Sequence, residues 1–174
     1  RNINYLAHIL SDGTVDPTFD PQISWGDNIV NTLALSQDKA TLYFGGDFTT
    51  IGGQTRSGLA AVNAVTGAVT SFDPGPVETV ETMALSSDGL TLYIGGWFTS
   101  VGGQTRNHLA AINITDGTVA SFDPNVSGSN ILTMALSSTG TLYIAGGFSA
   151  VGGQVRNNVA AVNASTGAVT TFNP

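Results

Sequence analysis

One segment occurs three times in this chain of 174 residues, and each copy begins its most regular part with a Leu-Tyr pair. The pairs start at Leu42, Leu92 and Leu142, so successive copies lie 50 residues apart. Each copy continues with two Gly residues, a Phe, a second Gly pair, a Gln and an Arg. A repeat of this length is one supersecondary unit that buries its apolar surface against its neighbours.

Each copy is predicted to form four short strands. In the middle copy they cover residues 80–86, 91–96, 109–113 and 118–122. Gly residues after the first and third strands supply the positive φ that hairpin turns need. Pro124 cannot donate to a ladder and ends the fourth strand. No stretch has a sustained 3.6-residue period, so no helix is predicted.

The predicted sheets are apolar on both faces, because neighbouring strand residues such as Ala84 and Leu85 point to opposite sides. Such a sheet must be covered on both faces, and copies that stack face to face around an axis cover each other in this way. We therefore predict an all-β fold made of β-propeller blades, each with four antiparallel strands. A β-solenoid is the competing fold, but its coils are usually shorter and hairpin-linked antiparallel strands fit it poorly.

The repeat also sets the domain boundaries. Residues 1–21 align with the C-terminal half of a copy, and we call them the half blade. Residues 22–74, 75–124 and 125–174 are blades 1, 2 and 3. About three and a half blades do not close by themselves. Either the chain is a section of a longer protein, or neighbouring subunits cover its ends. Because it begins with Arg1, a processed or trimmed product is expected.

The repeated Gly and Arg residues are interpreted as structural. The Gly pairs precede no helix, so they are not phosphate-binding loops. The Arg could pair with the Asp of the Phe-Asp-Pro segment or cap loop carbonyls, but Asn173 replaces that Asp in blade 3. The residues with this role are Gly45, Gly46, Gly52, Gly53, Arg56, Gly95, Gly96, Gly102, Gly103, Arg106, Gly152, Gly153 and Arg156.

The combined pattern is Leu-Tyr-Ile-Gly-Gly-x-Phe, Val-Gly-Gly-Gln-x-Arg-Asn, Leu-Ala-x-Ile-Asn, Asp-Gly-Thr-Val and Phe-Asp-Pro. It resembles the delta-sixty-type propeller repeats of large secreted bacterial proteins, and the likeness covers essentially the whole chain. The resemblance implies a β-propeller in a secreted or cell-surface protein, often beside adhesion modules, with no agreed catalytic residues. The strand followed by Gly-Gly also resembles kelch repeats, although the Tyr and Trp spacing of kelch is not found downstream.

Composition limits the classes of partner that this chain is expected to bind. The formal net charge is −7, which disfavours nucleic acid. No apolar run approaches the roughly 20 residues that span a bilayer, so no membrane insertion is expected. There is no Cys, and Lys39 is the single Lys in a chain rich in Thr, Ser, Asn and Gly, which indicates an extracellular or cell-surface location. The expected partners are other copies of the chain, flanking repeats of a longer chain, or glycans.

Positions that differ between copies are candidates for binding. The first crossover between blades is the longest and holds Trp25 and Asp27, and Trp97 follows a Gly pair. These three residues are the predicted ligand-binding positions, with the Trp rings as platforms for a sugar. No cofactor is predicted, and the one metal considered is Ca²⁺ near Asp12, Asp16 and Asp20, which are spaced by four, with Asp27 further on. Possible glycosylation sites are Asn113, Asn125 and Asn163.

Three functions follow from these observations. The first is a non-catalytic scaffold or interaction module at the cell surface, self-assembling or filament-forming, or part of a larger adhesin-like protein. The second is a glycan-binding propeller. The third is a polysaccharide-acting enzyme in which Glu78 and Glu81 form a carboxylate pair. The sequence favours the first, since a residue repeated in every blade usually serves the blade itself.

Overall fold

A computed structural model describes residues 6–24, 29–75 and 77–174 of this protein. Trp25 and Asp27, two of the predicted binding residues, lie outside this part of the chain. The described residues form strands, turns and isolated bridges, and none of them is helical. No helix in them is long and apolar enough to cross a membrane. The prediction of an all-β fold is confirmed.

The strands follow the repeat, with six in blade 1, four in blade 2 and six in blade 3. Those of blade 1 are β1 Ile23–Ser24, β2 Ile29–Leu35, β3 Thr41–Asp47, β4 Thr50–Ile51, β5 Gln54–Thr55 and β6 Leu59–Asn63. Those of blade 2 are β7 Val77–Leu85, β8 Thr91–Val101, β9 Gln104–Thr105 and β10 Leu109–Asn113. Those of blade 3 are β11 Val126–Ser127, β12 Ile131–Leu136, β13 Thr141–Gly146, β14 Ala150–Val151, β15 Gln154–Val155 and β16 Val159–Asn163.

Each blade is an antiparallel sheet in chain order, with strand orders β2-β3-β6, β7-β8-β10 and β12-β13-β16. The predicted fourth strand, 118–122 in blade 2, is wrong in its extent. Pairing there is limited to the isolated bridge between Ile112 and Val119. In each blade the carbonyl of the residue after the bridge, Ala120 in blade 2, accepts a hydrogen bond from the side chain of the repeated Arg. The other blades have the same isolated bridge.

A short hairpin that was not predicted follows the second strand of each blade. In blade 2 the end of β8 pairs with β9, and Gly102 and Gly103 form the turn at φ of 56° and 78°. A side chain is strained in this left-handed region, which accounts for the second Gly pair of the repeat. In blades 1 and 3 the hairpin also pairs with the crossover strands β1 and β11.

The blades fan out from a line along which their first strands meet. The first strand of blade 2, β7, contacts both β2 and β12, the first strands of its neighbours. Three apolar clusters fill the spaces between adjacent blades: one between the half blade and blade 1, one between blades 1 and 2, and one between blades 2 and 3. This is the radial arrangement of a propeller, and the array is not closed.

The first Gly pair of each repeat lies where neighbouring strands approach most closely. A Cβ on Gly45 would lie 2.5 Å from Val80 of blade 2, and one on Gly95 would lie 2.8 Å from Ile131 of blade 3. The second position of the pair is Gly in all three blades and meets its own sheet, since a Cβ on Gly146 would collide with the Asn130 carbonyl oxygen. Glycine at these two positions therefore allows the close approach of strands, both within a blade and between neighbouring blades.

We predict that Gly146→Ala lowers the free energy of unfolding by about 2–3 kcal/mol, because the added methyl group collides with backbone that cannot move aside. The matched control is Gly147→Ala, one residue further on, where Asp47 and Trp97 stand in the other blades. The control should change stability by less than about 1 kcal/mol. Urea unfolding followed by circular dichroism measures both, and equal losses would contradict the prediction.

Candidate functional site

Each blade has two apolar faces, which we name by direction along the chain. The leading face points to the preceding blade and the trailing face to the following one. In blade 1 the trailing face holds Tyr43, Leu59 and Phe72, all packed in the cluster shared with blade 2. In blade 2 the equivalent residues pack in the cluster shared with blade 3. These six side chains are all buried.

The trailing face of blade 3 carries the same kind of residues, namely Tyr143, Val159 and Phe172, and they are exposed. Tyr143 is 40% exposed, whereas Tyr43 and Tyr93 are each 5% exposed. A shallow groove of about 150 Å³ crosses this face. Blade 3 thus presents to solvent a surface that the chain covers in its other two blades. Contiguous apolar surface of this kind marks an interaction site.

The exposed aromatic pair already has the geometry of the buried ones. Tyr143 meets Phe172 edge to face, with ring centroids 5.4 Å apart and planes at 90°. The buried pair of Tyr93 and Phe122 is also at 5.4 Å, with planes at 71°. Because the rings hold this arrangement without a covering blade, little side-chain entropy is lost when a partner binds.

One residue distinguishes this face from its buried counterparts. Ala145 stands where blades 1 and 2 have Gly45 and Gly95. In those blades Gly is required by Val80 and Ile131, which project from the first strand of the next blade. The Ala145 methyl group occupies the space that a β-branched first-strand residue such as Val80 or Ile131 would need. It therefore fits a covering surface that lacks such a residue.

Burial changes the chemistry of the covered tyrosines. The Tyr93 hydroxyl donates a hydrogen bond of 3.0 Å to the Ala164 carbonyl of blade 3. Burial, with a smaller contribution from the Asp88 carboxylate, raises the pKa of Tyr93. The pKa of Tyr43 is raised by burial in the same way, with Asp38 as the nearby charge. The Tyr93 hydroxyl therefore stays protonated and acts as a hydrogen-bond donor between blades 2 and 3.

The other end of the array is the leading side of the half blade. Ile9 and Val15 form an isolated antiparallel bridge, and both side chains are exposed. They correspond to Val62 and Val69 of blade 1, which pack in the cluster shared with the half blade. The half blade thus exposes apolar residues of a leading face that holds no first strand among the described residues.

The repeated Arg residues cap backbone carbonyls within their own blades. Arg106 Nη2 donates to the Ala120 carbonyl at 2.6 Å, and Arg56 and Arg156 make the equivalent bonds to residues 70 and 170. Among the described residues an ion pair with the Asp of Phe-Asp-Pro occurs in blade 1, between Arg56 and Asp73 at 3.1 Å. Capping is therefore common to the three blades and ion pairing is not.

The Asp residues considered for Ca²⁺ are engaged in turns. Thr14 and Thr18 donate hydroxyl hydrogen bonds to Asp12 and Asp16, and these bonds lower the pKa of both carboxyls. The hairpin carboxyls of Asp38, Asp88 and Asp116 have their pKa lowered by equivalent hydroxyl hydrogen bonds. Within the described residues no group of three His, Asp or Glu side chains is placed to hold a metal ion.

The remaining predicted positions are dispersed. Trp97 is about half exposed, on β8, where it pairs with Thr79 of β7. Glu78 and Glu81 lie on β7, and Glu78 is exposed. The predicted glycosylation residues lie at turns or between strands. Asn113 and Asn163 accept backbone hydrogen bonds within their own turns, and Asn125 is exposed with φ of 48°.

Sequence reasoning expected neighbouring subunits to cover the ends of the array, but it did not identify the trailing face of blade 3 or its residues. Its residues looked like core because they are of the same type as core residues in the other copies. The usable signal was their place in the last copy, together with Ala145 where the earlier copies have Gly.

We predict that Arg106→Ala lowers the free energy of unfolding by about 1–2 kcal/mol, because the Ala120 carbonyl loses a charged donor. Asp73→Asn should cost less than about 0.5 kcal/mol, because a half-exposed ion pair contributes little and blade 3 has Asn173 at this position. Thermal unfolding of both variants tests the difference. A larger loss from the Asp73 variant would show that pairing matters more than capping.

Comparisons with known proteins agree with the topology. Residues 87–119 and 137–165 match a family described as "Domain of unknown function (DUF5122) beta-propeller". A comparison with curated proteins finds no match. Both matched segments lie in blades 2 and 3, and each begins near the hairpin that joins the first two strands.

Three solved structures have similar folds. Hydrazine synthase of Kuenenia stuttgartiensis is 17% identical with a TM-score of 0.53, covering 81% of this chain and 34% of that one. The WD40 repeats of RRP9 are 14% identical with a TM-score of 0.56, covering 90% and 40%. U3-55K is 14% identical with a TM-score of 0.57, covering 90% and 41%. The chain thus spans between a third and two-fifths of each structure. At such identities the likeness concerns the fold alone, and it identifies the chain as an array of β-propeller blades.

Proposed function

We propose that this chain is a non-catalytic scaffold and interaction module of the cell surface or extracellular space, and that it associates head to tail with further copies of itself. The observation that carries the proposal is the exposed trailing face of blade 3. Its Tyr, Val and Phe are the residue types that blades 1 and 2 bury. The free energy of the system falls when apolar surface of this kind is removed from water.

The proposed occupant is the leading face of the half blade of a second copy. That face exposes Ile9 and Val15, which match Val62 and Val69 of an established blade interface. Ala145 favours a half blade over a complete blade as the occupant of this face. No first strand of the half blade would lie against the Ala145 methyl group, whereas a complete blade of this repeat would bring a Val or Ile there. Contacts between unlike faces lead to chains of subunits when the rotation does not close.

The location and the finer family assignment are part of the same proposal. The absence of Cys, the single Lys and the net charge of −7 support an extracellular or cell-surface protein. The resemblance to delta-sixty-type repeats points the same way, and that assignment stays a prediction.

Head-to-tail association is tested with one charged substitution on each face. Val159→Asp alters the trailing face and Val15→Asp alters the leading face. We expect the unaltered chain to form concentration-dependent oligomers in sedimentation velocity, and each variant alone to be monomeric. An equimolar mixture of the two variants should form a 1:1 dimer, because each chain still carries one intact face.

The matched control is Val155→Asp, since Val155 is an exposed apolar residue on β15, outside both faces. It should oligomerise like the unaltered chain. A monomeric unaltered chain, or a mixture that stays monomeric while both variants remain folded by circular dichroism, would refute head-to-tail association.

Glycan binding at Trp97 is the second candidate function. The observation that favours it is the exposure of about half of this side chain at a position where the other blades have Asp47 and Gly147. An exposed indole offers a flat apolar surface on which a sugar ring can stack.

On a glycan array we expect Trp97→Ala to lose binding that the unaltered chain shows, and Leu90→Ala to keep it. Leu90 is the control because it is similarly exposed at a hairpin turn. Absence of binding by the unaltered chain, or equal binding by the Trp97 variant, would exclude a glycan site at this residue.

A further inference from the structure

A cavity of about 210 Å³ lies between blades 1 and 2, each of which has a further neighbour on its other side. One wall belongs to blade 1 and the other to blade 2. It is separate from the two faces of the proposed head-to-tail contact, and Trp97 does not line it. Its lining includes Thr41, Tyr43, Ser71 and Phe72 of blade 1, with Thr115 and Asp116 of blade 2.

The cavity has an aromatic floor and a polar rim. Tyr43 and Phe72 are buried, whereas Ser71, Thr115 and Asp116 are exposed. Pockets with an apolar base and a few polar groups around it are typical of small-molecule sites. Sites for drug-sized ligands measure roughly 300–1,000 Å³, so this smaller cavity is suited to a ligand about the size of one sugar ring.

The Tyr43 hydroxyl is available at the floor. The side chain is 95% buried, since its exposure is 5%, yet the hydroxyl is not occluded and has no hydrogen-bond partner among the described residues. Burial, with a smaller contribution from the Asp38 carboxylate, raises the pKa of Tyr43, so the hydroxyl keeps its proton at neutral pH. It is therefore a positioned donor that faces the cavity.

The next interface shows what this hydroxyl lacks. A cavity of about 270 Å³ lies at the same place between blades 2 and 3, and Tyr93 lines it. Tyr93 and Tyr43 pack on the Phe of their own blades in the same edge-to-face manner. The Tyr93 hydroxyl, however, already donates to the Ala164 carbonyl at 3.0 Å. A free tyrosine donor thus distinguishes the cavity between blades 1 and 2.

Asp116 supplies an acceptor at the rim. Its Oδ1 accepts the Thr118 hydroxyl at 2.7 Å and the Thr118 backbone N–H at 2.9 Å, and these bonds lower its pKa. Its Oδ2 has no partner among the described residues. The turn therefore holds an ionised carboxylate with one oxygen left for a ligand. Blade 3 has Thr166 at this position, so the next interface has no equivalent carboxylate.

The remaining polar groups favour a neutral ligand with several hydroxyls. The side-chain hydroxyls of Thr41, Ser71 and Thr115 have no partner among the described residues, and each can donate and accept. No Lys, Arg or His lines the cavity, and an anion would be repelled by Asp116 and by the net charge of −7. An ammonium group would satisfy Asp116 but leave the Tyr43 proton without an acceptor.

We propose that this cavity binds one neutral monosaccharide unit. A ligand hydroxyl oxygen accepts from Tyr43, and a second ligand hydroxyl donates to Asp116 Oδ2. The smaller hydroxyls of the lining complete the contacts. The inference adds a small-molecule site to the proposed interaction module, and it depends neither on self-association nor on Trp97.

The probes are free glucose, galactose and mannose, titrated into the unaltered chain and followed by saturation-transfer NMR. We expect saturable binding of at least one of them. Tyr43→Phe should weaken that binding about five- to tenfold, because it removes one hydrogen bond to the ligand. The matched control is Tyr93→Phe, which makes the same change at the next interface and should keep the affinity. Binding of none of the three sugars, or equal affinities of the two variants, would overturn the proposal.

The thermal unfolding midpoints of the same two variants provide an independent readout. Tyr43→Phe should leave the midpoint unchanged, since its hydroxyl bonds to no described residue, whereas Tyr93→Phe should lower it. A lower midpoint for Tyr43→Phe would show that its hydroxyl serves the fold and would count against the site.

The rim is tested with Asp116→Asn, which keeps the size of the side chain and removes one acceptor. We expect weaker sugar binding in this variant and unchanged binding in Asp88→Asn, since Asp88 lines the cavity between blades 2 and 3. Trp97→Ala should also bind normally, which separates this site from the glycan site considered above. Unchanged binding in a folded Asp116→Asn variant, or loss of binding in Trp97→Ala, would refute the cavity.

The source of the sugar is identified by comparing the free monosaccharide with an oligosaccharide that ends in it. Equal affinities indicate that the single unit is the whole ligand. An affinity at least about tenfold higher for the oligosaccharide indicates the terminal unit of a longer glycan. Both results support the site, provided that Tyr43→Phe weakens the binding of either ligand.

Discussion

The structure depends on the fact that every blade is apolar on both faces and has almost no core of its own. Along β3, Tyr43 contributes to the cluster shared with blade 2, and its neighbour Phe44 contributes to the cluster shared with the half blade. The apolar clusters therefore lie between blades, and each blade is stabilised by its neighbours, as in other repeat proteins. An exposed face at the end of the array is a direct consequence of this arrangement.

The two ends of the array are not equivalent. Blade 3 presents a sheet of three paired strands, with Tyr143 and Phe172 already in the edge-to-face geometry of the buried pairs. The described part of the half blade presents an isolated bridge and a groove beside Phe19. The two ends differ in shape, so the proposed head-to-tail association has a direction. Ala145 is consistent with this difference, because it would obstruct an ordinary following blade.

Much of the architecture could be predicted because it is repeated. The Leu-Tyr segment and the antiparallel strands recur in each copy at a 50-residue period, and their meaning follows from strand geometry. The fourth strand was predicted too long, because in each blade its pairing is reduced to a bridge, at Val119 in blade 2. The carbonyl of the next residue accepts a hydrogen bond from the repeated Arg, a contact that no local sequence pattern indicates. The short hairpin through Gly102 and Gly103 was not predicted, because two-residue strands leave almost no periodic signal.

The sequence by itself determined the repeat, the all-β class and the need for each sheet to be covered on both sides, because these follow from local spacing and side-chain polarity. Tertiary structure decided which surfaces remain open. Tyr93 and Tyr143 both stand in a Thr-Leu-Tyr-Ile segment, and the presence of blade 3 beside blade 2 makes one buried while the other is exposed. It likewise decided that Arg106 caps the Ala120 carbonyl, 14 residues away, since that contact depends on how the chain returns to the sheet.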